Sequence, residues 1–570
     1  MKRARRVTIK PAPVNRKVTV FALVALLAAC PCPAESGSDG DARLPGKTGR
    51  ISYHGISFEF DREVDAGRFA NGDFWVAVPE GSEVVRITAI HPEFDGRHHG
   101  WEVNPAEFGP QGFDHRMQGG GFEAERVPAL PYDASPGESI VKAISYAVGE
   151  ENPRPVLQRA VVLTVLAEVP PDAGRGMFRP PYFGEAKPVY DVDSLKLDLL
   201  PSLSPPAKDV PTLEDVAARF QHVWLDHRRG WTSRSMHPLE NMPDYGSAMT
   251  LAVGDAVLAL MLDNPVEEKR QAAVNLVQWA IDLQAMYEGG LRWHANGGHM
   301  HGRKLPLALA AVLLDDDDMR RTVSQWEHAA YPARYAANVF QEDSSVYYSP
   351  PARRVLWGQP MEDHYWLRLK EDRGSRTARD PYGYIDGGDH PGGAYQYCCT
   401  SMTWKGTALA LHLMPELREV WNYEPFLDYV DRWVNFGAWT LPDPYNLDNE
   451  VDADAGGRFP EMHGKNANRG DWGSRFADAM WDLYRSDEAV PMPHVEPYGG
   501  TFEGPVTVQL DSPHLESVRL HYTLDGSLPC EEAPEYEGSL VITENATLRV
   551  RAFKDGYEPS AANRAVFEFE

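Results

Sequence analysis

Residues 293–304 read W-H-A-N-G-G-H-M-H-G-R-K. Twelve positions hold His294, Asn296, His299, His301, Arg303 and Lys304, interleaved with Gly297, Gly298 and Gly302. Each glycine costs roughly 1 kcal/mol in a helix interior, so the run reads as a loop. Imidazoles transfer protons near neutral pH, and an arginine pairs with carboxylates. The apolar stretch Leu305–Leu314 follows at once and predicts a short buried helix. The polar groups are thereby expected at the mouth of a helical core, where binding sites collect. The bland alternative is a surface loop with ordinary histidines.

Three further stretches carry similar chemistry. Residues 236–246 read M-H-P-L-E-N-M-P-D-Y-G, with His237, Asn241, Asp244 and Tyr245; residues 362–366 read E-D-H-Y-W, with His364; residues 380–397 form a glycine-rich run with Tyr384 and Tyr395. Aromatic rings beside carboxylates, amides and imidazoles suit a polysaccharide cleft, because sugars have apolar faces and hydroxyl rims. All four loops are expected to meet in one cleft. Cleavage of a uronic-acid polymer by β-elimination needs a group that offsets the substrate carboxylate, a base for the C5 proton and an acid for the leaving oxygen. Asn296 or Asn241, with Arg303, fits the first task; His299 or His301 fits the second; Tyr245, Tyr384 or Tyr395 fits the third, or both proton transfers. His237, His364 and Trp293 complete the expected substrate-binding set. The alternative is a glycoside hydrolase, which needs two carboxylates across the bond; Asp244, Glu342, Asp343, Asp363, Asp386 and Asp389 are available. A third reading is a non-catalytic glycan-binding surface protein. His294, His299 and His301 match no helical zinc pattern, so no metal and no cofactor is expected.

The elements that must position these loops divide the chain. Short alternating strands over 51–200, separated by turn residues, predict an N-terminal β-sandwich. The aromatics of the run 67–75 are read as core or as sugar-stacking platforms. A proline-rich linker spans 200–211. Helical periodicity then dominates 212–486, with candidate helices at 247–262, 266–286, 305–314, 318–329, 402–413, 425–436 and 474–484. Paired helices joined by long polar loops predict an α/α toroid. Asp315–Asp318 are expected to end one helix and favour the start of the next through its dipole. The fold class is therefore a multidomain α+β chain with a central toroid between two β-sandwiches.

The 570 residues carry a formal charge of −27. Seven basic groups (Lys2, Arg3, Arg5, Arg6, Lys10, Arg16, Lys17) lie in the first seventeen positions, and −27 less those seven is −34. That balance argues against a nucleic-acid partner, which needs a basic footprint. The basic segment precedes an apolar run, Val18–Ala29, that is too short to span a membrane. An exported protein is expected, with 1–30 as an address and 31–50 as a Gly/Ser/Asp/Pro-rich tether. Among five cysteines, Cys398 and Cys399 are adjacent and could form a vicinal disulfide; no metal-ligand spacing occurs.

Three resemblances add to this reading. L-A-A-C at 27–30 resembles a bacterial lipobox, which implies lipidation at Cys30 and a membrane partner through that anchor, at the periplasmic or cell surface; plain cleavage near Ala34 and secretion is the alternative. Y-T-L-D-G-S-L-P (522–529), P-E-Y-E-G-S-L (534–540) and A-T-L-R-V-R-A-F-K-D-G-Y-E-P-S (546–560) resemble the chitobiase/β-hexosaminidase C-terminal domain over about 494–570. That likeness implies a small fibronectin-like sandwich accompanying a carbohydrate-active enzyme. The central region resembles, in architecture and residue kind, the α/α-toroid polysaccharide lyases of the alginate and glucuronan lyase type. This implies a polysaccharide substrate and assigns no catalytic residue.

Overall fold

Alternation along the N-terminal strands decides which face each side chain takes. The computed structural model describes residues 46–147, 154–325, 339–350, 353–357, 399–436 and 473–570. Strands β1 (Gly46–Tyr53), β2 (Ile56–Arg68), β3 (Phe74–Ala77), β4 (Val85–His91), β5 (Trp101–Val103), β6 (Tyr132–Ala134), β7 (Ser139–Ser145) and β8 (Leu157–Leu166) form one eight-stranded sheet. Its order is β5-β7-β8-β3-β2-β4-β6, with β1 on β2; β3 and β8 run parallel and the other pairs antiparallel. Val161, Leu163 and Val165 of β8 join the core of this sheet, whereas Leu157, Ala160 and Val162 join the core of the helical region. Burial on both faces explains the unbroken apolar run of β8. Phe69, Phe74 and Trp75 are buried, so the 67–75 aromatics are core and not sugar platforms.

The helical region contains α1 (Leu213–Gln221), α2 (Gly246–Leu260), α3 (Val266–Glu288), α4 (Lys304–Leu313), α5 (Asp317–Ser324) and α6 (Gln341–Ser344). After the hairpin β9 (Val346–Ser349) and β10 (Arg354–Trp357) come α7 (Lys405–Leu413), α8 (Pro415–Trp421), α9 (Glu424–Phe436) and α10 (Arg475–Tyr484). Every residue of α4 is buried, as a helix apolar all round must be. Helices α2, α4 and α7 run parallel, with the first turn of α7 level with the middle of α2. Ser247 donates to the Cys399 carbonyl, Thr250 bonds His301 just before α4, and a Cβ on Gly254 would stand 3.4 Å from Gly406 Cα. Glycine at 254 and 406 is what lets α2 and α7 come so close. Asp316 Oδ1 accepts from Met319 N at 2.8 Å and caps α5, while Asp315 takes a left-handed φ of 55° at the turn; the aspartate run ends one helix and starts another, as its composition suggests.

The C-terminal region pairs β11 (His494–Glu496), β13 (Val506–Asp511) and β15 (Leu540–Ile542) in one sheet. A second contains β12 (Gly500–Phe502), β17 (Asn563–Phe569), β16 (Ala546–Phe553) and β14 (Arg519–Thr523). Both sheets contribute to one apolar core. This domain sits on α9 and its neighbours through buried polar contacts. Arg485 binds Asp431 through Nε and Nη2 and reaches Glu558 at 3.0 Å; Glu424 accepts from Ala562 N at 2.7 Å; Asp428 accepts from Met492 N at 2.8 Å; Tyr348 Oη meets His494 Nδ1 at 2.7 Å. Helices and sheets together make an α+β chain with a C-terminal β domain.

Candidate functional site

The loop 293–304 is held from beneath by α6. Ser344 Oγ accepts from Ala295 N at 2.9 Å, Gln341 Oε1 from Met300 N at 2.9 Å, and Glu342 Oε1 from Gly302 N at 2.7 Å; Gln341 Nε2 donates to Gly297 O. A glycine loop that would otherwise bury unsatisfied amides is thereby completed. Gly298 is required by close approach, since a Cβ there would fall 2.6 Å from Tyr245 Oη and 2.7 Å from the Cys399 carbonyl.

His299 and Tyr245 meet at the open end of this frame. Their rings touch edge to face, with centroids 4.7 Å apart, although 54 positions separate them in sequence. Both are half-buried. The Arg234 guanidinium lies 4.8 Å over the Tyr245 ring and pairs with Asp244. Burial, with Arg234, Arg303 and Arg154 adding repulsion, pushes His299 down to about 4. It is therefore a neutral imidazole at pH 7, in a locally positive setting. Asn296 is exposed close by, against Gly230, and the adjacent Trp231 leaves 46% of its surface open. His294 is half-buried in the same loop.

Other expected site residues take structural roles. Arg303 is fully buried and its fork is closed on Asp226, with Nε–Oδ2 at 2.8 Å and Nη2–Oδ1 at 3.0 Å. Its Nη1 donates to the carbonyls of His299 and His301. The expectation that Arg303 binds the substrate carboxylate is corrected: the guanidinium braces the loop. His237 is also buried, with Nε2 2.9 Å from Asp226 Oδ1 and Nδ1 facing the carbonyls of Pro243 and Asp244. Trp293 is buried and stacked on Phe340, centroids 5.4 Å apart, so it cannot stack on a sugar. Asn241 is buried and donates to Val223 O at 2.9 Å.

His301 is corrected as a base. Trp404 Nε1, which can only donate, is 3.0 Å from His301 Nδ1, and Nε2 is 3.1 Å from Gly298 O. Nδ1 is thus the acceptor and Nε2 the donor, which fixes a neutral tautomer inside the core. Burial, reinforced by Arg303, takes this histidine to about 3. Glu342 and Asp343 are buried as well; the first serves Gly302 N and the second Lys304 Nζ at 2.6 Å. Burial raises them to about 7 and about 6, but neither faces an open cleft. His364, Tyr384, Tyr395, Asp363, Asp386, Asp389 and the loops 362–366 and 380–397 lie outside the described residues, as do Cys30 and Cys398. Cys399 is disulfide-bonded, and Cys530 is free.

Arg234, Trp231, Asp226 and α6 were missed from sequence. Trp231, in R-R-G-W, carried the one usable signal, an aromatic beside glycine and arginines.

The two-sheet domain at the C-terminus decides the comparison with known proteins. Residues 497–563 match the chitobiase/beta-hexosaminidase C-terminal domain. The match covers the strands from β12 to the start of β17 and none of the site around His299. No curated protein and no solved structure matches the chain.

Proposed function

We propose that this chain is an exported polysaccharide lyase that cleaves a uronic-acid-containing glycan by β-elimination. The observation that carries this reading is the Tyr245–His299 pair in a cationic setting on a chain of charge −27. His299, neutral and half-buried, takes the C5 proton; Tyr245 protonates the departing oxygen; Arg234 and Asn296 offset the substrate carboxylate. The helix ends add to the field. Helix α2 starts directly after Tyr245, and α2, α4 and α7 have no acidic residue in their first turns, whereas α1, α3, α5, α8, α9 and α10 each have one or more. Helix N-termini attract anions, and acids placed there would repel one.

The parallel trio α2, α4 and α7, with α3 returning between α2 and α4, supports reading the helical region as an α/α toroid. The core shared by β2, β4, β7 and β8 supports an N-terminal sheet folded over itself as a sandwich. Trp231 and the C-terminal domain support a carbohydrate ligand.

The test is incubation of the full chain with separate uronate and neutral polysaccharides, following ultraviolet absorbance of unsaturated products and release of reducing ends. Absorbance growth on a uronate polymer is expected. Reducing ends without absorbance would favour the hydrolase, and binding without either would favour the non-catalytic binder.

Export by lipidation at Cys30 is part of the same proposal. Replacing Cys30 with Ala is expected to move the protein from the membrane to the soluble fraction, because acyl chains supply the anchoring. Unchanged fractionation of the variant would leave the plain signal-peptide reading.

A further inference from the structure

The N-terminal sheet carries a second cluster of ionisable groups, away from the loop 293–304. Ligand atoms of His98, Asp114 and His115 all lie within 4.8 Å of one another. We infer that these three side chains form a binding site for a divalent transition metal of the zinc class.

The geometry around each ligand carries the argument. His98 Nδ1 is 2.9 Å from Asp95 Oδ2, which makes Nε2 the ligating nitrogen. A carboxylate behind an imidazole is the usual outer support of a histidine that binds zinc, since it fixes the tautomer and raises basicity. Asp95 is itself fixed, its Oδ1 accepting from Arg97 N at 2.9 Å and His98 N at 2.7 Å. His115 Nε2 accepts from Arg97 Nη2, which makes it the lone-pair nitrogen, while Nδ1 lies 3.4 Å from the Arg97 carbonyl and 3.9 Å from Asp114 Oδ1. The two rings stand edge to face, centroids 4.7 Å apart. Asp114 is fully buried and oriented by Arg116 through Nε at 3.1 Å and Nη2 at 2.8 Å.

The two ligand-bearing loops are zipped together. Gly100 N donates to Phe113 O, and His115 N to Arg97 O, each at 2.9 Å. Bonds of about 2.0–2.2 Å to zinc require ligand atoms about 3.3 Å apart, so the side chains must close in from a spacing of up to 4.8 Å when the ion binds. Two imidazoles and one carboxylate suit zinc or its neighbours rather than calcium or magnesium, which prefer all-oxygen shells. Among the described residues two groups compete: Arg116 occupies both Asp114 oxygens through its backbone N, Nε and Nη2, and the exposed Arg97 places Nη2 2.7 Å from His115 Nε2. A metal at that nitrogen must displace the guanidinium, which solvent can receive. The bound ion would clamp the loop that Arg228 grips at the Gln118 and Gly120 carbonyls.

The experiment is titration of the chelator-stripped full chain with zinc chloride, read by calorimetry and by the thermal unfolding midpoint. One zinc per chain and a raised midpoint are expected. The double variant His98→Ala, His115→Ala should lose both, with unchanged circular dichroism. Arg97→Ala should bind zinc on the order of 10-fold more tightly, because the competitor at His115 is gone, an effect that loss of folding cannot imitate. Absence of zinc binding by both the wild type and Arg97→Ala would overturn the assignment. So would binding that survives the double variant and disappears in His222→Ala, since His222 stacks on His54 with centroids 3.9 Å apart and that pair would then be the ligand.

Discussion

Replacing His299 with Ala is expected to lower turnover on a uronate polymer by on the order of 10²-fold or more, the usual loss when a general base is removed. The fold should survive, because the ring is half-buried and its packing on Tyr245 is edge-on. The pH dependence makes the expectation sharper. Burial and then the arginines hold His299 at about 4 in the free protein. A base works when deprotonated, so kcat/KM should rise with pH through about 4 and level off above it. A bound uronate brings a negative charge beside the imidazole, favours the protonated form and raises the pKa. The acid limb of kcat, which reports the complex, should therefore lie at higher pH than that of kcat/KM. Tyr245→Phe should remove the acid and leave the His299 limb in place. Wild-type turnover in His299→Ala would remove that residue from the mechanism.

The second large effect is on stability. Arg303→Met is expected to cost about 3–5 kcal/mol, the range found when one partner of a buried ion pair is removed. The reason is Asp226, which is fully buried and bound by both Arg303 and His237. Burial works against its charge, yet Arg303 and His237 outweigh it and hold the carboxyl at about 2. A folded-state value below the unfolded one stabilises the native state above pH about 4, and that share is lost as pH falls toward about 2. In Arg303→Met the carboxylate has lost its main partner, so the variant should unfold at lower temperature at pH 7 and lose less on acidification. Adding Asp226→Asn should recover part of the loss. Thermal unfolding of the three proteins at pH 7 and pH 3 checks this. A variant as stable as wild type would show that Arg303 does not hold the loop.

The helices were readable because their apolar residues repeat at helical spacing and each buries one stripe or more. The aspartate run at 315–318 was readable because capping is local. The site was less so. His299, Tyr245 and Asn296 could be named from residue type, but their neighbours Trp293, His301 and Arg303 have the same chemistry and belong to the interior. What separates them is the partner each finds: Phe340 for Trp293, Trp404 for His301, Asp226 for Arg303. Those partners lie 47, 103 and 77 positions away, and no local pattern encodes them. Glu342 misled for the same reason, since a carboxylate that accepts a loop amide has the same letter as one that protonates a glycosidic oxygen.

The C-terminal domain is bolted to the helical region through Arg485, Glu424, Asp428 and Tyr348. A binding module on a flexible tether samples a volume, and its benefit falls off gradually as the tether lengthens. A module fixed in place has no such volume. On the proposed function, a glycan chain held on its surface would reach the His299 region along one path of one length, or fail to reach it. Polymer length should therefore act as a threshold: chains too short to span both places gain nothing from the domain, and chains that span them gain its full contribution without any ordering cost in a linker.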